Sequence, residues 1–257
     1  MLLYDLLKEL KVKANPEKAR ILSGFFKTGK GEYGKGDFFL GIAVPESRKL
    51  AVKYGELALS DVSKLIKNKY HEARLVALLI LVHKYKTRQP HRQDLWGKQI
   101  CDFYLSHTKY INNWDLVDLS AGYIVGDYLY KRTVIKRVSP RTVLEKLANS
   151  KNLWEKRIAI ISTFAFIYKG EPARHASQGD AGGYKWTFKI VKILMKDKHD
   201  LIKKACGWML REVGKRVSEK ELIKFLDSNI KNMSRTMLRY AIERLPEAKR
   251  KYYLHKK

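Results

Sequence analysis

The sequence predicts an all-α protein, an α-solenoid of stacked antiparallel helix pairs with a concave basic face. Three observations lead there. Nearly every segment repeats its apolar residues at the helical period of about 3.6, and strand-like alternation is scarce. Cap signals separate these segments at short intervals, and many shorter segments alternate with longer ones, as in stacked helix hairpins. Lys and Arg number 53 against 26 Asp and Glu, a formal net charge of +27. These cations are interleaved with apolar positions, so the charge coats one face of a folded body and not a tail. A curved, basic helical surface fits a nucleic-acid duplex. The repeats have no fixed sequence period, and a compact all-α domain is the alternative architecture. With 257 residues and 45% apolar content, the chain reads as a single domain over residues 1–257.

Taken in order, residues 1–10 form an amphipathic helix containing Asp5, Lys8 and Glu9, unlike a signal peptide. Asn15 caps the next helix and Pro16 takes its first position. Residues 26–37 form a glycine-rich loop carrying Lys30 and Lys35. Such a loop can present backbone amides to phosphates, or it can be a connector; it lacks the Gly-Lys-Ser/Thr ending of a Walker A loop. Helices follow at residues 45–54, 60–68, 72–85 and 92–107, then a long one at 114–130 opened by Asn112 or Asn113. Ser139-Pro140 starts residues 141–148, and Asn152 starts a helix to residue 168 that Gly170 stops. Residues 171–183, with Arg174, His175, Gln178 and Asp180, read as a loop. Helices at 184–195 and 200–213 follow, the second stopped by Gly214. Ser218 to Glu221 fits a capping box for a helix to residue 230, Ser234 opens residues 235–245, and Pro246 begins a last basic helix.

Cys101 and Cys206 sit in helical apolar patterns and read as small buried thiols. The longest apolar run, residues 75–82, is too short to span a bilayer. These features suit a cytoplasmic protein with no membrane association.

Four residues stand out for chemistry. Trp114 and Asp118 are i and i+4 on one helix face beside Ala121, Gly122 and Val125, where small residues leave space; a core tryptophan with a surface aspartate is the plainer alternative. Arg157 lies among Leu153, Trp154, Ile160, Ile161 and Phe164 and needs an anion, a phosphate or Asp118, unless it snorkels to water. Trp208 lies off its helix's apolar face, in a row with Lys204, Arg211 and Lys215, which suits a charged aromatic polymer or, more plainly, packing against a neighbouring helix. Arg235 and Arg239 share a face and add candidate phosphate contacts. Common catalytic motifs are missing, and the seven histidines form no ligand pair, so no metal site is expected.

Three segments, Asn113-Trp114-Asp115-Leu116-Val117-Asp118, Asn152-Leu153-Trp154-Glu155-Lys156-Arg157 and Gly207-Trp208-Met209-Leu210-Arg211-Glu212, resemble the AlkD-type DNA alkylation repair glycosylases. So do Phe39-Leu40-Gly41-Ile42, Pro45-Glu46 and Arg48, and the likeness runs in order over residues 15–250. The resemblance implies HEAT-like repeats and excision of N3- and N7-alkylated purines (3-methyladenine, 7-methylguanine) in base excision repair, with no metal or organic cofactor. It implies that Asp118 is the catalytic aspartate, Trp114 and Trp208 the tryptophans beside the damaged nucleotide, Arg157 an arginine near the backbone and Arg211 a DNA contact. The expected partner is double-stranded DNA containing alkylated purines, bound by a monomer. Relatives of this fold that bind unusual DNA without excising a base define the alternative function, a non-catalytic binder of damaged or branched DNA. The loops at 26–37 and 171–183 look longer than the family's connectors.

Overall fold

Apolar periodicity becomes helix wherever the chain is described. The computed structural model describes residues 2–87, 93–136, 138–169 and 183–257. Among these, every regular element is helical, and the one strand-like contact is an isolated parallel bridge between Phe38 and Tyr70. The fold is all-α and built of consecutive helix hairpins, the construction of an α-solenoid. No described helix is long and apolar enough to cross a membrane. The chain forms two compact units, Met1–Ser120 and Ala121–Lys257.

The first unit contains α1 (Leu2–Val12), α2 (Pro16–Phe25), α3 (Val44–Lys53), α4 (Leu59–Ile66), α5 (His71–Thr87), α6 (Gln93–Ser106), a 3-10 turn (Thr108–Tyr110) and α7 (Trp114–Asp118). Asn15 caps α2 as its sequence position requires, accepting from the Lys18 amide. The α4 helix starts at Leu59, slightly ahead of the expected Ser60-Asp61 start, with Ala58 in the cap position. Helix α5 is the unit's axis. Its residues from His71 through Val82 are all buried, and α3 and α4 pack against it. Each large apolar side chain so buried, such as Leu78 or Ile80, contributes about 1.5–3 kcal/mol of transfer free energy.

The second unit begins with a π-helical turn (Gly122–Gly126) and continues through α8 (Asp127–Lys136), α9 (Arg141–Ala148), α10 (Leu153–Ser162), α11 (Phe164–Tyr168), α12 (Lys185–Leu194), α13 (Asp200–Arg216), α14 (Glu219–Asn229), a 3-10 turn (Ile230–Asn232), α15 (Arg235–Ile242) and α16 (Glu247–Lys256). Helix α13 is the axis here, packed against α10, α12, α14 and α15. A Cβ on Gly207 would lie 2.4 Å from the Met237 carbonyl oxygen, so only glycine lets α15 approach α13 this closely. Asn152, Ser218 and Ser234 cap α10, α14 and α15 through their side chains. Both cysteines are buried thiols, and burial pushes both upward, Cys101 to about 12.

Three expected helices differ. The helix over 114–130 is interrupted after Asp118. Ser120 Oγ donates to the Leu116 carbonyl at 2.5 Å, and the Ser120 amide leaves the helical pattern. That amide bonds the Val117 carbonyl in a tighter turn. The helix over 152–168 breaks at Thr163, whose hydroxyl and amide both bond the Ile160 carbonyl. Gly214 does not stop α13, which runs on to Arg216. Its missing side chain makes room for Leu222, whose Cδ2 would lie 2.5 Å from an added Cβ. The expected loop at 171–183, apart from residue 183, and the Gly170 stop lie outside the described residues, as do His91, Arg92 and His175.

Candidate functional site

In the first unit the candidate residues sit on α7, a five-residue helix too short to persist alone. Asn113 caps it, its Oδ1 accepting from the Trp114 amide at 2.8 Å. Trp114 and Asp118 are both half-buried, one turn apart. The Trp114 ring stacks on Phe26 at 5.1 Å between centroids and meets the edge of Phe25 at 5.9 Å. Such pairs add about 0.5–1.5 kcal/mol each beyond area burial. Tyr104 pairs its hydroxyl with Ser120 at 2.9 Å. Burial raises the Tyr104 pKa, and the Asp118 charge adds to the rise.

Behind α7 lies a buried charge network that the sequence pattern did not single out. His71 Nε2 is 2.8 Å from Asp115 Oδ2, and His71 Nδ1 is 3.1 Å from Asp37 Oδ2. Asp37 also accepts from Arg74 Nη2 at 2.6 Å and Asn113 Nδ2 at 3.2 Å. Asp115 Oδ1 accepts from the Leu116 amide. Burial opposes the charged form of His71, but the bonds from Asp115 and Asp37 outweigh it and raise its pKa to about 9. Burial likewise opposes ionisation of Asp37, yet His71 and Arg74 hold its carboxyl below the ordinary range. The His71 ring stacks on Phe39 at 4.5 Å and leans on Phe26 at 5.1 Å.

Glu72, also buried, accepts the amides of Leu40, Gly41 and Ile42 at 2.8, 2.8 and 3.2 Å. Gly41 has φ +81°, and a Cβ there would lie 2.2 Å from the Asn15 carbonyl oxygen. The Phe39-Leu40-Gly41-Ile42 segment is therefore fixed by one carboxylate and one close backbone approach.

The glycine-rich loop over 26–37 folds back on itself. The amides of Glu32, Gly34, Lys35 and Asp37 bond carbonyls within the loop, and Glu32 Oε2 accepts from the Gly29 amide. Those five amides are therefore engaged within the loop and not turned toward a phosphate. Lys30 and Lys35 are exposed on it, and buried Phe26 and Asp37 anchor its ends.

In the second unit Trp208 and Arg211 lie on α13, joined through Glu212. This buried carboxylate accepts from Trp208 Nε1 at 3.2 Å, Arg216 Nε at 2.7 Å and Arg211 Nη2 at 3.4 Å. Burial would raise the Glu212 pKa, but Arg216 first, then Arg211 and Trp208, bring it below the ordinary value. Arg211 also bonds Glu243 at 2.5 Å, so the expected DNA contact is already engaged by two carboxylates. Arg216 lies over the rings of Phe164 and Tyr168, 5.4 and 5.7 Å from their centroids.

Arg157 is 5% exposed, so its guanidinium is held within the protein by its partners. Its Nη1 donates to the Leu201 carbonyl at 2.6 Å, tying α10 to the first turn of α13. Neighbouring Lys156 pairs with Asp197 at 2.8 Å. Lys204 pairs with Asp200 at 2.7 Å across an exposed helix turn, a pair worth little in water. Lys215 and Arg239 are exposed, and exposed Arg235 donates to the Leu254 carbonyl at 3.0 Å. Among the described residues no group of three or more His, Cys, Asp or Glu is placed to hold a metal ion.

The family model described as DNA alkylation repair enzyme matches residues 6–245, nearly the whole chain. The chain belongs to this DNA alkylation repair family. A solved structure described as a predicted DNA alkylation repair enzyme from Enterococcus faecalis shares the fold, with a TM-score of 0.65 and 16% identity. The match covers 91% of this chain and 98% of that one. No curated protein sequence matches significantly. Family membership gives DNA alkylation repair as the process to which the chain belongs.

Proposed function

We propose that the chain is a DNA glycosylase that hydrolyses the N-glycosyl bond of N3- and N7-alkylated purines in duplex DNA. The observation that carries this reading is the α7 surface: a half-exposed Trp114 braced by Phe25 and Phe26, with the half-exposed Asp118 carboxylate one turn on. Alkylation at N3 or N7 makes the purine cationic, so it departs with the bonding pair as a neutral base. Little acid catalysis is needed, in contrast to glycosidases that must protonate a leaving oxygen. Positive charge then develops on the sugar. Asp118 stabilises that charge and orients the water whose oxygen bonds to C1′, the spare proton passing to the carboxylate or solvent.

Trp114 and Trp208 each offer an aromatic face to a cationic nucleotide, worth on the order of 1 kcal/mol. Arg157 acts in this reading by fixing the first turn of the helix that carries Trp208. Lys30, Lys35, Lys204, Lys215, Arg235 and Arg239 contact phosphates, which sets affinity and register without sequence choice, and Arg211 joins them once released from Glu243.

Asp118→Asn is expected to slow 7-methylguanine release by about 100-fold or more, while salt-sensitive duplex binding persists. Chromatography of free bases from methylated DNA measures this. Release at the wild-type rate removes Asp118 from the chemistry. Binding without release by the wild-type chain would support the non-catalytic reading.

A further inference from the structure

We infer that His71 is a positioning residue for α7, an imidazolium whose two N–H groups pin the Trp114–Asp118 turn; its effect on base release rests on the function proposed above. The geometry suits the charged form. Both ring nitrogens lie within 3.1 Å of carboxylate oxygens that can only accept when ionised, and a neutral imidazole has one N–H to give. Arg74 occupies the other Asp37 oxygen, so charge there is partly balanced from a second side. Glu72, next in sequence, is directed at the amides of Leu40, Gly41 and Ile42. Asp37, Asp115, Arg74 and Glu72 are thus the charged groups around the ring.

Two short hydrogen-bonded paths lead from His71 to α7. Asp115 takes His71 on one oxygen and the Leu116 amide on the other. Asp37 takes His71 and the side-chain amide of Asn113, whose oxygen in turn caps the Trp114 amide. A third path is the ring stack, since Phe26 lies 5.1 Å from both His71 and Trp114. Loss of one proton removes one of the two charge-assisted bonds. It leaves Asp37 and Asp115 with one histidine N–H between them, and the first turn of α7 loses an anchor. Trp114 and Asp118 are then held less closely, which for a reacting group displaced by about 1 Å costs up to about 100-fold in rate.

The test uses the full chain labelled with 5-fluorotryptophan, its Trp114 resonance identified by its absence in Trp114→Phe. Between pH 6.5 and 10 that fluorine resonance should move with one midpoint near 9, the value to which His71 is raised. The movement should vanish in His71→Gln. A pH-invariant Trp114 resonance, or a titration that survives in His71→Gln, overturns the proposal, and the wild-type titration alone decides if the variant fails to fold. On methylated DNA, His71→Gln should lower the single-turnover rate about tenfold or more with affinity for the duplex held within about twofold. A loss that follows only the fraction of folded protein would make His71 structural and nothing more. If the wild-type chain releases no base, the glycosylase reading fails, while the fluorine titration still decides whether His71 positions Trp114.

Discussion

The two units fix their tryptophans with opposite electrostatics. In the first, a cation is held between two carboxylates: His71 between Asp37 and Asp115, behind Trp114. In the second, a carboxylate is held between two guanidiniums, Glu212 between Arg211 and Arg216, and it bonds Trp208 directly. Both central groups are buried, and desolvation works against each charge. Partners of opposite sign outweigh that cost in both. The difference is in what can titrate. Arginine never loses its proton under ordinary conditions, so the second network is sensitive only at its carboxylate. The first is sensitive on the alkaline side at its histidine, besides the acid-side sensitivity that Asp37 shares with Glu212.

The comparison can be broken most sharply by removing a centre. Glu212→Leu leaves two guanidiniums facing each other and the Trp208 N–H without its acceptor. The expected destabilisation is about 3 kcal/mol, at the low end for a broken buried pair because Arg216 is partly exposed. Urea unfolding measures it, and a loss below about 1 kcal/mol would show the network to be ornamental.

The pH responses should have opposite signs. The folded pKa of His71, about 9, lies above its ordinary 6.5. Its stabilisation is complete below pH 6.5 and is lost as pH rises through about 9. Between pH 7 and 10 the wild type should lose about 2–3 kcal/mol more than His71→Gln. Glu212 has a depressed pKa, so its contribution is present above its ordinary 4.5 and is lost as pH falls through the folded value. Glu212→Gln should flatten the acid limb and leave the alkaline limb unchanged. Unfolding curves across pH separate the two, and matching slopes in wild type and variants would end the contrast.

The smallest expected effect compares the tryptophans. Trp208→Phe loses the bond to Glu212, about 1 kcal/mol. Trp114→Phe keeps a ring for Phe26 to stack on and should lose about half as much. Equal losses would mean that stacking, and not the network, sets both side chains in place.

Much of this fold was readable in the sequence. Asn15, Asn113, Asn152, Ser218 and Ser234 all cap helices where local chemistry says they should. The misreadings were tertiary. Gly214 looks like a stop until Leu222 is known to occupy its space. Ser120 looks compatible with a long helix, yet its amide turns to the Val117 carbonyl. For the site, Trp114, Asp118 and Trp208 stood out by being wrong for their helix faces. His71 did not, because its partners lie 34 and 44 residues away. One signal was present: His71, Glu72 and Arg74 begin a helix that is apolar on every side, so their charges had to be answered from elsewhere. Glu212 was legible only as part of a motif, since its task depends on Arg216 one turn on.

The carboxylate of Glu72 has a consequence for local breathing of the chain. Residues 40–42 lie outside any helix, a setting in which amides ordinarily trade hydrogen for deuterium quickly. Here three successive N–H groups are gripped by one buried side chain that belongs to the central helix of its unit. Their exchange must wait for that helix to release Glu72, so an irregular stretch acquires the opening kinetics of the core.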